Sequence, residues 1–273
     1  MCGGPAMNMK ISSTIAFESR HNELLQLSDV DTFVRRATAD LGAQPPNFKA
    51  IVGINRGPLE NEHRQPAQLS AVEIQRRQGA GALVVDVRAE LEFDEAHIPG
   101  ALCNPTIRAG FGTKLAWLAD REREIVLVGD DDGDAVRAAE LAMAVGIRKV
   151  QGYLGGGMDS WLAAGLAVRE LERVDVDALH ARRDDVQVLD VRERREFDDA
   201  HIPNSVNVPY HDITGVPSGI DAAQPVAVIC SSGQRAAVAA SVLQADHAAH
   251  VIHVAGGGVG TWRERGWQLT HRG

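Results

Sequence analysis

Cysteine is scarce in this chain of 273 residues: Cys2, Cys103 and Cys230 are the only three. So few thiols, so far apart, exclude a disulfide framework and a thiolate metal site, and fit a reducing compartment in which a free thiol can do chemistry. Long apolar runs are missing as well. No uninterrupted stretch approaches the ~18 residues of a membrane span, and residues 1–10 lack the charged start and apolar core of a signal peptide, so the sequence reads as cytoplasmic. There is no basic excess. The 28 basic and 37 acidic residues leave a formal charge of −9, spread along the chain, which argues against nucleic acid or an anionic membrane as partner. What is present is apolar material, 44% of residues, ample for the roughly two domains that a chain of this length suggests at ~150 residues each.

The sequence repeats itself. Leu83 to Pro99 (LVVDVRAELEFDEAHIP) recurs as Gln187 to Pro203 (QVLDVRERREFDDAHIP), so that Asp86, Arg88, Glu92, Phe93, His97 and Pro99 match Asp190, Arg192, Glu196, Phe197, His201 and Pro203. Gly155, Gly156, Gly157 and Trp161 recur as Gly256, Gly257, Gly258 and Trp262. Each copy is about 100 residues, large enough to enclose its own core and too few in number for a solenoid. Short apolar runs at Leu83 to Val87, Ile125 to Val128, Val188 to Val191 and Ala227 to Ile229 predict buried strands of a parallel sheet covered on both faces. Ala135 to Val145 and Arg235 to Gln244 follow two of them as Ala-rich helices. In such α/β sheets ligands sit beyond the carboxyl ends of the strands, which points to the loop between Ile229 and Arg235.

That loop reads Cys230, Ser231, Ser232, Gly233, Gln234, Arg235. A thiol at a strand's end is followed by a glycine free to take positive φ and by a helix start, so inward-facing N–H groups and Arg235 favour the thiolate and cradle a sulfur anion. The alternative is a buried structural cysteine.

Asp-Val-Arg, Glu-Phe with His-Ile-Pro, a cysteine and an arginine with four residues between them, and a Gly-rich turn with Trp together resemble the rhodanese (thiosulfate sulfurtransferase) family over residues 67 to 273. The resemblance implies an α/β fold of two rhodanese-like domains, each a central parallel sheet flanked by helices. It implies transfer of sulfane sulfur from thiosulfate or glutathione persulfide, through a Cys230 persulfide, to a thiol acceptor, with no cofactor and no metal. Cys230 and Arg235 would be catalytic; Ser231, Ser232, Gly233 and Gln234 would bind the substrate. Phosphatases and arsenate reductases on this fold resemble it with one more residue between Cys and Arg, which enlarges the cradle for a tetrahedral oxyanion; four residues favour sulfur.

The matching stretch of the first copy runs from Val128 through Gly129, Asp130, Asp131, Asp132, Gly133 and Asp134 to Arg137, with Gly129 or Asp130 in the cysteine's place. Four carboxylates there repel an anion, each like-charge contact at ~4 Å costing on the order of 1 kcal/mol in water, so this copy is expected to be inactive. A Ca²⁺ loop through Asp130, Asp132 and Asp134 is the competing reading, but the EF-hand spacing and its terminal Glu are lacking. Cys103 reads as a packing residue. Asp86, Arg88, Asp190 and Arg192, present in both copies, read as salt-bridging struts, and His97 and His201 as turn residues rather than general bases. His247, His250 and His253 are spaced for neither a strand nor a helix face and read as a solvated edge rather than a metal site.

Residues 1–66 differ in kind. Ser28 and Asp31 suggest a capping box for a helix ending near Leu41, before Pro45 and Pro46. Cys2-Gly3, Ser12 to Asn22 and Ile54, Asn55, Arg56, Gly57 resemble the end of the metallo-β-lactamase-like domain of persulfide-dioxygenase fusions, without a His-x-His-x-Asp-His motif, and His21 and His63 stand alone. The resulting expectation is a helical and extended remnant (1–66), an inactive rhodanese-like domain (67–171) and an active one (172–273). Its alternative is a non-catalytic sulfur-carrier or docking module for a metallo-β-lactamase-fold protein, or a degenerate fragment of one.

Overall fold

The structure, a computed structural model, describes residues 12–39, 43–57, 65–108, 110–119, 122–246 and 250–271. Cys2, Gly3, Leu41, His63 and His247 lie outside them. The chain divides into two units, Met1–Pro45 and Pro46–Gly273. The first holds α1 (Ile15–His21) and α2 (Val30–Thr38). Asp29, rather than the expected Ser28, caps α2, its carboxylate accepting the Thr32 N–H at 2.8 Å. Aspartate caps as well as serine does, and its charge suits the positive end of a helix.

The second unit opens with α3 (Phe48–Arg56), tied down where Asn47 Nδ2 donates to the Val145 carbonyl at 2.6 Å. The repeat then appears as two copies of one topology. In the first, β1 (Ala67–Leu69), α4 (Ala71–Gly79), β2 (Leu83–Asp86), α5 (Glu90–Glu95), β3 (Leu102–Cys103), α6 (Phe111–Leu118), β4 (Ile125–Val128), α7 (Asp132–Ala144), β5 (Val150–Leu154) and α8 (Gly157–Ala163) follow in order. In the second, β6 (Glu172–Val174), α9 (Val176–Ala181), β7 (Gln187–Asp190), α10 (Arg194–Asp199), β8 (Val206–Asn207), a 3₁₀ turn (Tyr210–Asp212), β9 (Val226–Ile229), α11 (Gln234–Ala245), β10 (Val251–Val254) and α12 (Val259–Glu264) take the same places. The sheets are β1-β5-β4-β2-β3 and β6-β10-β9-β7-β8, and every strand pair is parallel. All residues of β2, β4, β9 and β10 are buried, as strands covered by helices on both faces must be.

The copies are not packed alike. Helix α7 buries Ala135, Ala138, Ala139 and Ala142, a single face at helical spacing. Helix α11 buries every residue from Ala236 to Ser241, together with Leu243, because its own sheet covers one side and the first copy covers the other. There the Cys103 N–H donates to Ser241 Oγ at 3.0 Å, and Gln244 Nε2 donates to the Glu170 carbonyl at 2.8 Å. One apolar cluster runs through both copies, from Phe93, Ile98 and Cys103 to Cys230, Ala236 and Leu243. Small side chains all around α11 are what allow it to be enclosed so closely.

Candidate active site

Strand β9 ends at Ile229 and α11 begins at Gln234, so Cys230, Ser231, Ser232 and Gly233 form the whole connection. Gly233, the residue capping α11, has φ +94°, where a side chain is strained. Its N–H points back to donate to Cys230 Sγ at 3.2 Å, and the sulfur sits at the positive end of a 12-residue helix. The thiol is 1% exposed. From below, the Gly-rich turn supports the cysteine: the Val259 N–H donates to the Cys230 carbonyl at 3.1 Å, and a Cβ on Gly258 would lie 2.1 Å from that same oxygen. This close approach, rather than an unusual φ, requires the glycine. Ser231 and Ser232 are exposed, and Gln234 and Arg235 are half-buried.

Arg235 does not stand free beside the sulfur. Its Nη1 and Nη2 donate to the two carboxylate oxygens of Glu196 at 2.6 and 2.9 Å, and Nη2 also donates to Ser231 Oγ at 2.6 Å. The Ser231 hydroxyl in turn donates to Glu196 Oε1 at 3.1 Å. A fork of this kind fixes the guanidinium plane and ties the loop to α10. Burial works to lower the proton affinity of Arg235, but the bonds and charge of Glu196 outweigh it and raise it. Burial likewise works to raise the Glu196 carboxyl, and Arg235 overcomes it, holding the carboxyl below its ordinary range. The sequence showed Glu196 only as a repeat landmark; its distance of four residues from the Asp-Val-Arg strand end was the available signal.

In the first copy β4 ends at Val128 and α7 begins at Asp132, leaving only Gly129, Asp130 and Asp131 between them, one residue fewer. Gly129 follows the strand directly, in the place of Cys230. A Cβ there would lie 2.7 Å from the Asp131 carbonyl and 2.9 Å from the Ala135 nitrogen, so this loop has no room for a thiol. Its carboxylates are engaged locally. Asp131 Oδ1 caps α7 by accepting the Asp134 N–H at 2.8 Å, Asp132 accepts from Gln68 Nε2 and from the Gly156 N–H, each at 2.8 Å, and Asp134 pairs with Arg137. Asp130 is pushed up by burial and by the charge of Glu92, whose buried Oε2 has no partner. Among the described residues no group of three or more His, Cys, Asp or Glu side chains is placed to hold a metal.

The shared landmarks are architectural in both copies. Arg88 Nη2 donates to Asp86 at 2.7 Å and to the Ala96 carbonyl at 2.7 Å; Arg192 Nη2 does the same to Asp190 at 2.6 Å and the Ala200 carbonyl at 2.7 Å. His97 and His201 stack on Phe93 and Phe197, and each Nδ1 donates to the carbonyl of the phenylalanine it covers. Burial, with the nearby charges of Asp86, Asp94 and Glu90, pushes the Cys103 thiol well up.

Two interface residues escaped the sequence. His250 is exposed and pairs with Glu172, but His253, read as part of a solvated edge, is fully buried in β10. Its Nδ1 lies 2.7 Å from Asp94 Oδ2 of the first copy, and its Nε2 lies 2.9 Å from the Gly233 carbonyl of the cysteine loop. Lys114 of α6 is 6% exposed and its ammonium has no partner; burial lowers it, with Glu90 and the two thiols nearby acting the other way.

The sequence profile of the rhodanese-like domain family matches residues 70–164 and 175–265. The chain is 33% identical over 89 residues to the thiosulfate sulfurtransferase GlpE of Pseudomonas savastanoi pv. phaseolicola, covering 32% of this chain and 84% of that protein. It is 30% identical over 86 residues to the putative sulfur carrier protein YrkF of Bacillus subtilis, covering 32% of this chain and only 43% of that one. A crystal structure of a thiosulfate sulfurtransferase from Pseudomonas aeruginosa is similar over 76% of this chain and 44% of its own, at 22% identity and a TM-score of 0.34. No described helix is long and apolar enough to cross a membrane. The family profile covers more than half of the chain in two successive stretches, and the chain belongs to the rhodanese-like domain family as a tandem pair.

Proposed function

We propose that this protein is a sulfurtransferase whose single nucleophile is Cys230. The observation that carries the reading is the buried thiol at the strand-to-helix turn, with the Gly233 N–H aimed at its sulfur at 3.2 Å. The Cys230 thiolate attacks the sulfane sulfur of thiosulfate; the S–S bond breaks and sulfite leaves with its electron pair. An acceptor thiolate then attacks the outer sulfur of the Cys230 persulfide, forms a new persulfide and returns the Cys230 thiolate. No redox partner is consumed. Ser231, Ser232, Gly233 and Gln234 line the turn that receives the donor, and Arg235, braced on Glu196, presents its charge to it. Glutathione persulfide fits the same chemistry as donor. The four-residue spacing from Cys230 to Arg235 favours sulfur over a tetrahedral oxyanion.

A second reading, a sulfur carrier or docking module that passes sulfur to a partner without multiple turnover, is favoured by the similarity to a protein named as a putative sulfur carrier. The resemblance of residues 12–22 and 54–57 to the end of a metallo-β-lactamase-like domain suggests a protein of that fold as the partner. Steady-state transfer from thiosulfate to cyanide or glutathione separates the readings. We expect turnover, abolished in Cys230→Ser and retained in Cys103→Ala; activity surviving in Cys230→Ser refutes the assignment, and single-turnover labelling alone supports the carrier.

A further inference from the structure

We infer that the silent first copy is a working part of the second copy's active site, through Asp94 and His253, which together position the Cys230 loop. The inference rests on the reading of Cys230 as nucleophile.

His253 faces two acceptors. The Gly233 carbonyl, 2.9 Å from Nε2, has no proton to give, and the Asp94 carboxylate lies 2.7 Å from Nδ1. Satisfying both requires Nε2 to donate to the Gly233 carbonyl and one proton to lie between Nδ1 and the Asp94 carboxyl, so the ring is clamped from both sides. His253 is 0% and Asp94 3% exposed, a setting in which neither polar group is tolerated without its partner. The charged groups around the ring are Asp94 and Glu90 of α5 and Arg173 of β6, whose Nε lies 3.9 Å from Asp94 Oδ2. Asp94 Oδ1 has no partner, so the hold on this carboxylate comes through Oδ2.

The carbonyl being held is the one that matters for the loop. Gly233 O also accepts the Ala237 N–H at 2.8 Å, the first bond of α11, and the Gly233 N–H is the donor to Cys230 Sγ. Because the peptide is planar and trans, fixing the Gly233 carbonyl fixes the Gln234 N–H on the opposite side of the same bond. The positive φ of Gly233 couples this plane to the N–H that meets the sulfur, and glycine, with the widest conformational freedom, is the residue that most needs an external hold. His253 supplies it from a strand, and Asp94 supplies the orientation of the ring.

Neither residue is inherited scaffold. By strand register Val228 pairs with His253 as Leu127 pairs with Tyr153, so the first copy has Tyr153 where the second has His253. The repeat partner of Asp94 is Asp198, which is exposed. The contact therefore runs one way, from the silent copy to the active one, and α11 is enclosed for the same reason. On this view the first copy has lost the thiol and kept a positioning role.

The test uses the full chain. In ¹⁵N-histidine-labelled wild type, Nε2 of His253 is expected to carry a proton and to show the hydrogen bond to the Gly233 carbonyl. In Asp94→Ala, kcat for sulfur transfer from thiosulfate should fall by at least about tenfold, while KM changes by less than about twofold, and capture of Cys230 by iodoacetamide should slow in parallel. Asp94→Asn, whose amide can donate to Nδ1 while Nε2 still donates to Gly233, should recover most of the rate. An unprotonated Nε2 in the wild type, or Asp94→Ala with unchanged kcat and unchanged capture, overturns the inference. Capture needs no sulfur transfer, so a wild type that transfers none while its capture rate depends on Asp94 sinks the sulfurtransferase reading and leaves this one standing.

Discussion

The brace between Glu196 and Arg235 makes a prediction whose size and pH dependence both follow from the structure. Glu196→Gln keeps the shape of the side chain and removes its charge, so an amide NH₂ now faces a guanidinium that has only donors. Hydrogen bonds to charged groups contribute about 1.5–3 kcal/mol. The Glu196 side chain is 37% and the Arg235 side chain 21% exposed, and solvent screening reduces the expected loss to about 1 kcal/mol. For a unit of this size that corresponds to a fall in Tm of about 2–4 °C at pH 7. The carboxyl is held below its ordinary range, so the folded state binds the proton less readily than the unfolded state does. The stabilisation is complete above the ordinary carboxylate range and is lost as pH falls below about 4. Melts of wild type and variant should therefore differ at pH 7 and 5 and draw closer at pH 3.5, and 0.5 M salt should narrow the gap in the manner of a partly exposed pair. A gap that persists unchanged at pH 3.5, or none at pH 7, refutes the reasoning. Because the brace also holds Ser231, sulfur transfer should fall by about tenfold at pH 7.

Three further outcomes are expected. Lys114→Met should raise the stability by about 1–3 kcal/mol, since it removes a buried ammonium without a partner. Burial lowers this ammonium's proton affinity, so the wild type regains stability as pH rises toward 10, and the advantage of Met in thermal melts should shrink over that range; an unchanged or lowered Tm at pH 7 contradicts this. Gly258→Ala places a methyl 2.1 Å from the Cys230 carbonyl. Backbone has to move, at a cost of about 3 kcal/mol, and transfer should be lost with it, whereas Gly260→Ala, with nothing within 4 Å, should leave activity intact.

Much of the fold was legible because the chain states it twice. The recurrence of Asp-Val-Arg and of Gly-Gly-Gly with Trp located two domains, and continuous apolar runs placed β2, β4, β7 and β9 to within a residue or so. The cysteine loop was legible because its signal is local: a thiol, a glycine and a helix start within six residues. What the sequence hid is what depends on contact between the copies. His253 looked solvated because its partner Asp94 lies 159 positions away. The four alanines and one valine from Ala236 to Ala240 carried the available hint, since a helix without polar side chains on any side is built to be enclosed. The first copy's missing loop residue was hidden by its crowded aspartates, which suggested electrostatic exclusion where the shorter loop also leaves no space.

The central claim is that sulfur is carried on Cys230 and nowhere else in the chain. Intact-mass analysis after exposure to thiosulfate, followed by peptide mapping, tests it directly. One added sulfur atom is expected on the peptide bearing Cys230, removed by glutathione or cyanide and absent in Cys230→Ser. Sulfur found on Cys103 or Cys2 instead, or no added sulfur in a folded wild-type protein, would contradict it.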